Sequence, residues 1–340
     1  MRLLIIGGSV FVGRHLVVAA LARGDQVTVF NRGTSTAAWP AGLDVRHGDR
    51  KADLSALAQG EWDAVVDCCG YLPRDVARMA QQLHGRVRRY VFISSISVYA
   101  ESSQARDESS AVGRIDDIDT ELVDSRTYGP LKALCEEAVA ARFGMAQSLL
   151  IRPGLIVGPY DPTQRFTYWP ARVARAADGE PVLAPGPPDT PLQCIDVRDL
   201  VAFVLQAIDT ACSGPMNATS PPGALTMGCL LEACATAAGT RPSWCWTTPE
   251  EIEFCGLQPW SDLPVWLPAA GDDAGLHLTD TRVAQAAGLR TRAVVETVAA
   301  TLAWYRTLPA DQQAFTKAGL SPEREAQALA RVAERRSPRV

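Results

Sequence analysis

The chain has 340 residues, 47% hydrophobic and 21% charged, with a formal net charge of −5. Those proportions suit one large or two smaller globular domains and exclude a largely disordered chain. The acidic balance, with no lysine or arginine stripe, argues against nucleic acid as the main partner.

Arg2 to Ile6 is a short apolar run ended by Gly7-Gly8-Ser9, the helical spacing of Val12 to Arg23 follows, and Gln26 to Phe30 is β-branched and apolar again. A strand that enters a helix through a glycine turn leaves unpaired N–H groups at the positive end of the helix dipole, a place to hold a pyrophosphate. Val10 stands where a three-glycine fingerprint carries its middle glycine. A strand this early leaves no room for a signal peptide, and no apolar run reaches membrane-spanning length, so a cytoplasmic protein with no membrane partner is expected.

Short strands are predicted next at 44–47, 63–67, 89–94 and 147–152, with helices at 75–83 and 130–142 between them. This alternation predicts an α/β fold: a Rossmann-like, doubly wound parallel sheet with ligands beyond the strands' carboxyl ends. Cys68-Cys69 end one of these strands. The nine cysteines are scattered without a C-x-x-C pair, so reduced thiols are expected and no metal site. From Gly158 prolines and tryptophans cluster, which predicts a smaller, interleaved substrate domain. The boundaries drawn are 1–158 for the dinucleotide-binding domain, with 192–208 returning to it, and 159–191 plus 209–330 for the substrate domain. Residues 258–268 read as a loop or lid, and 331–340 as a frayed tail.

Three segments carry chemistry. In Tyr128-Gly-Pro-Leu-Lys132, Thr127 can cap a helix whose first turn holds Pro130, and the tyrosine and lysine share one side of its start. A lysine ammonium near a phenol favours the phenolate. Ser94, Ser95 and Ser97 follow a predicted central strand, where hydroxyls line the ligand crevice. Asn31-Arg32-Gly33 puts an arginine, and no acid, after the second strand; it suits the 2′-phosphate of NADP or reads as a solvated turn residue.

In order and spacing, Gly7-Gly8-x-x-Phe11-Val12-Gly13, Asp49, Ser94-Ser95-x-Ser97-Val98-Tyr99, Tyr128-x-x-x-Lys132 and Arg152-Pro153-Gly154-x-x-x-Gly158-Pro159 resemble the extended short-chain dehydrogenase/reductases, the NAD-dependent epimerase/dehydratase superfamily. A late Thr279-Asp-Thr-Arg282 followed by Ala287-Gly288-Leu289 carries the resemblance to about residue 290. The resemblance implies Ser95 as the catalytic serine, Tyr128 as acid/base and Lys132 as the residue that binds the nicotinamide ribose and tunes the tyrosine. It implies cofactor contacts at Gly7, Gly8, Ser9, Phe11, Val12 and Gly13, then at Asn31, Arg32, Asp49, Arg50, Cys69, Gly70, Lys132 and Pro153. Pairing into a homodimer through the helix that bears Tyr128 is also implied.

Related 4,6-dehydratases follow the catalytic threonine with Asp-Glu; this chain has Ile96-Ser97, so elimination lacks its carboxylates. The glycine turn and Asn31-Arg32-Gly33 resemble an atypical branch that includes chloroplast stem-loop-binding proteins, which have lost catalytic residues. The retained Tyr128 and Lys132 favour an enzyme. The expected function is an NADP(H)-dependent oxidoreductase, a reductase of a small-molecule carbonyl, with NAD(H) as the other cofactor. The alternatives are an NAD-dependent sugar-nucleotide epimerase and a non-catalytic nucleotide-sensing or RNA-binding protein. Substrate-pocket candidates are Ser97, Tyr99, Gly154, Arg165, Tyr168 and Trp169, the last two reading equally as core. The acidic stretch 107–124 is expected to be a solvated, mobile loop bordering the site.

Overall fold

A computed structural model describes residues 1–34, 39 and 42–337. The first half runs β1 (Arg2–Ile6), α1 (Phe11–Ala22), β2 (Gln26–Asn31), β3 (Asp44–His47), β4 (Trp62–Asp67), α2 (Pro73–Leu83), β5 (Val87–Ile93), α3 (Tyr128–Phe143) and β6 (Ser148–Pro153). Then come β7 (Leu155–Val157), α4 (Arg165–Ala174), β8 (Pro181–Pro185), β9 (Pro191–Leu192), β10 (Cys194–Asp196), α5 (Val197–Asp209) and β11 (Gly214–Ala218). The remainder is β12 (Leu225–Thr226), α6 (Met227–Ala238), β13 (Ser243–Thr247), α7 (Pro249–Phe254), α8 (Arg282–Ala286), α9 (Val294–Tyr305) and α10 (Pro322–Arg336).

Seven strands form the central sheet in the order β11-β6-β5-β4-β1-β2-β3, every neighbouring pair parallel. β1 is buried at every position after Arg2, and a strand covered on both faces needs a continuous apolar run rather than alternation. One face packs Ile5, Val29, Val66 and Val91 against Leu16 and Val17 of α1 and Leu200 and Val204 of α5. The other packs Ile6, Phe30 and Phe92 against Val76 and Met79 of α2 and Val139 of α3. Strand order reverses between β1 and β4, which opens a crevice at their carboxyl ends. A second core, built on Trp169, Leu230, Trp266 and Val298, lies in α4, α6, α9 and the segment before residue 268. Among the described residues no helix is long and apolar enough to cross a membrane.

Three expectations need correction. Of residues 192–208, α5 returns to the first core, but β10 pairs with β7 in a two-stranded ribbon. The strand that extends the sheet is β11, inside the span assigned to the substrate domain. Its Gly214-Pro-Met-Asn-Ala sequence is a poor strand signal, and Pro215 is tolerated because an edge strand pairs on one side only. Residues 258–268, read as a loop or lid, are a loop, but a docked one and not a free lid: Leu263, Val265 and Trp266 are buried. The tail from 331 continues as α10 to Arg336, whose guanidinium forks onto Glu251 at 2.7 and 2.6 Å. Residues 338–340 lie outside the described residues.

Candidate active site

The crevice is about 2080 Å³ and runs from the glycine turn to the second core's wall. At one end α1 begins after Val10 with no side-chain cap and no acid in its first turn, so its first N–H groups are left for a ligand. Gly7 (φ 103°) and Gly8 (φ 78°) take left-handed backbone. A Cβ on Gly13 would lie 2.6 Å from the Cα and nitrogen of Gly8, so the turn folds directly onto the helix. Val10 carries its side chain outward, 60% exposed. The arrangement fits an anionic pyrophosphate.

Asn31, Arg32, Asp49, Arg50 and Cys69 line the same end. Asn31 Oδ1 accepts the Gly33 N–H at 2.8 Å, and Asp49 accepts the Lys51 N–H at 2.9 Å. Exposed Arg32 has no carboxylate partner among the described residues. Arg50 is committed: it donates two bonds of 2.9 Å to Asp67 and one of 3.4 Å to Cys69 Sγ. Burial pushes the Asp67 carboxyl up, but the Arg50 charge together with hydrogen bonds from Arg50, the Tyr90 hydroxyl and the Cys69 N–H outweighs it and holds the group below its ordinary value. Gly70 and Pro153 do not line the crevice. Gly70 packs under Phe92 and Val76, and Pro153 is buried beside Ala218.

Midway along, β5 ends in Ser94 and Ser95. Ser95 Oγ accepts the Ser97 N–H at 3.1 Å, donates to Ser97 Oγ at 3.0 Å and so caps a short 3₁₀ turn, Ile96–Val98. The first turn of α3 seats on that turn at Gly129, where a Cβ would collide with the Ser97 carbonyl. This seating sets Tyr128 beside Ser95. Thr127 is not the cap: its backbone is already helical, and Asp124 Oδ1 accepts the Arg126 and Thr127 N–H groups at 2.8 and 3.0 Å. Lys132 is buried and its Nζ donates to the Ile93 carbonyl at 2.8 Å, 6.0 Å from the Tyr128 ring and 5.1 Å from the Tyr71 ring. Burial pushes the Tyr128 phenol up to about 12, with the Ser95 hydroxyl opposing, and burial lowers Lys132. Burial therefore dominates the Tyr128 balance, and the phenolate-favouring effect expected of Lys132 is not among its causes.

Ser97, Tyr99, Gly154 and Arg165 line the crevice. Tyr99 donates to Asn217 at 2.6 Å and accepts from Arg152 at 3.1 Å, and Arg152 forks onto Glu136 of α3 at 2.9 and 2.6 Å. Tyr168 and Trp169 belong to the second core, each 1% exposed, with Trp169 donating to the Pro264 carbonyl at 2.6 Å. The stretch 107–124 is exposed in most places but anchored: Glu108 accepts the Asn217 N–H at 2.8 Å, and Glu121 pairs with Arg74. Sequence reasoning missed Tyr71, Gly129, Arg106 and Trp260, which acquire meaning only from neighbours distant in the chain.

The chain matches the NAD dependent epimerase/dehydratase family over residues 3–218. It belongs to that family. It is 28% identical over 275 residues, 74% of this chain and 68% of its relative, to chloroplast stem-loop binding protein of 41 kDa b from Arabidopsis thaliana. In structure it resembles UDP-glucose 4-epimerase at TM-score 0.68 and 17% identity, covering 91% of this chain and 99% of that one. It also resembles UDP-glucuronic acid 4-epimerase from Bacillus cereus, solved with NAD, at TM-score 0.62 and 14% identity, covering 94% and 100%. The likenesses to solved structures establish the Rossmann-like α/β fold.

Proposed function

We propose that the protein is a nicotinamide-dependent oxidoreductase that exchanges hydride at a hydroxyl- or carbonyl-bearing carbon of a small metabolite. The observation that carries this is the meeting of Ser95, Tyr128 and Lys132 in one crevice with an uncapped, glycine-entered helix. A dinucleotide laid from the glycine turn past Asp49 to Lys132 supplies the hydride chemistry when bound. Ser95 orients the substrate oxygen and Tyr128 carries its proton. A phenol pushed up to about 12 is in donor form at neutral pH, which suits delivery of a proton to a carbonyl under reduction. Arg32, without a carboxylate partner among the described residues, supports a preference for NADP over NAD.

A second reading, a sugar-nucleotide epimerase, is favoured by the solved neighbours, which are named UDP-sugar epimerases. RNA binding, suggested by the plant relative's name, sits poorly with a net charge of −5. Tyr128→Phe should lower turnover about 10²- to 10⁴-fold while cofactor affinity, measured by fluorescence titration, stays unchanged. Undiminished turnover discards the mechanism. Net consumption of NADPH distinguishes a reductase from an epimerase, which regenerates its cofactor each cycle.

A further inference from the structure

Three arginines are buried to within a tenth of full coverage among the described residues: Arg106, Arg152 and Arg172. Arg152 forks onto Glu136 and Arg172 reaches Glu325 at 2.5 Å. Among the described residues Arg106 has no such partner. Its Nε donates to Thr279 Oγ1 and one terminal nitrogen to the Glu101 carbonyl, each at 3.2 Å, and the other terminal nitrogen is buried with no hydrogen-bond partner among the described residues. A buried cation without a counter-ion is costly and is rarely retained without a use.

The guanidinium lies 5.5 Å from the ring of Tyr99, four residues beyond Ser95, and Arg106 lines the crevice. Its side chain ties Glu101 to Thr279, but the backbone joins the same two segments independently: Gly275 N–H donates to the Ser102 carbonyl and Asp280 N–H to the Arg106 carbonyl, each at 2.8 Å, and Gln104 packs directly on Gly275. Burial lowers the Arg106 pKa, with Tyr99 and Asp273 opposing. That is the signature of a cation left without adequate compensation.

We infer that Arg106 receives an anionic group of the substrate, a carboxylate or a phosphate, and so selects acidic substrates for the crevice. This rests on the reading of the crevice as a substrate site given above. A guanidinium that keeps one terminal nitrogen unpartnered beside an aromatic ring can take an oxygen of either group.

The test uses the full chain saturated with NAD, so that the glycine turn is filled. UDP-glucuronic acid, UDP-glucose, free glucuronate and inorganic pyrophosphate are each titrated calorimetrically into wild type, Arg106→Gln and Arg106→Lys. Arg106→Gln is expected to weaken the acidic ligands about tenfold or more, a change of about 1.4 kcal/mol, with partial recovery in Arg106→Lys and unchanged NAD affinity. Melting temperatures close to wild type mark the variants as folded, a readout that a purely structural arginine would not spare. Loss confined to UDP-glucuronic acid and glucuronate assigns a carboxylate. Equal loss for UDP-glucose and pyrophosphate assigns a phosphate. If Arg106→Gln binds all four like wild type, or if none binds NAD-loaded wild type, the inference is overturned. If the sugar nucleotides are refused but glucuronate or pyrophosphate binds in an Arg106-dependent way, the epimerase reading falls and the anion site stands.

Discussion

At Gly13 a single hydrogen in place of a methyl group decides whether the glycine turn can close on α1. A Cβ there would sit 2.6 Å from two backbone atoms of Gly8, which no side-chain rotation relieves. Gly13→Ala should therefore push the helix start away from the crevice and weaken dinucleotide binding about tenfold or more, measured by titration, with a smaller effect on melting temperature. Ser95, Tyr128 and Lys132 were readable in the sequence because their spacing within one strand exit and one helix turn is local. Gly129 and Arg106 were not. The first matters because the Ser97 carbonyl lies against it, and the second because Thr279 and Tyr99 surround it.

Among the elements, α3 does two jobs. Its first turn presents Tyr128, and its third carries Glu136, which holds Arg152 on β6 and, through Arg152, the Tyr99 hydroxyl. Both partners of that pair are about nine-tenths buried. Removing one leaves the other as an uncompensated charge, so Glu136→Ala should cost about 3–5 kcal/mol in a denaturant melt. Replacing Glu136 and Arg152 together by apolar residues should cost less than the single change. Strands β1, β2, β4, β5 and β6 were legible to within a residue or two because the buried part of each is an apolar run, whereas β3, an edge strand of sequence Asp-Val-Arg-His, carries no such run. β11 was not legible, because its pairing comes from the exposed edge of β6 and not from its own residues. At the start of α3 the expected cap also failed: the Thr127 side chain makes no capping bond, and Asp124 holds the Arg126 and Thr127 N–H groups just before the helix.

Across the whole molecule, the two cores are stitched by a buried polar network between them. His277 Nδ1 accepts the Gln193 N–H at 2.9 Å, which leaves Nε2 as the donor to the Val265 carbonyl at 3.2 Å. The Gln193 side chain bonds the Ser220 and Thr279 carbonyls at 2.7 and 2.8 Å. Burial lowers the His277 pKa from 6.5 to about 4. Above pH 6.5 the ring is neutral whether the chain is folded or not, so it confers no pH dependence there. Between 6.5 and about 4 the unfolded chain binds a proton that the folded one refuses, and stability falls by up to about 1.4 kcal/mol per pH unit. His277→Gln should flatten that part of the stability–pH curve relative to wild type; parallel curves would remove His277 as the cause. The proline- and tryptophan-rich composition after Gly158 accompanies the second core, but the number of times the chain passes between the cores was not legible in it.

Because β11 completes the sheet only after the chain has visited the second lobe, neither lobe corresponds to one continuous stretch of gene. A chimera that borrows a relative's specificity lobe through a single splice would inherit the wrong edge strand, whereas two splices that bracket Gly214–Ala218 would keep the parent's own strand in register with β6.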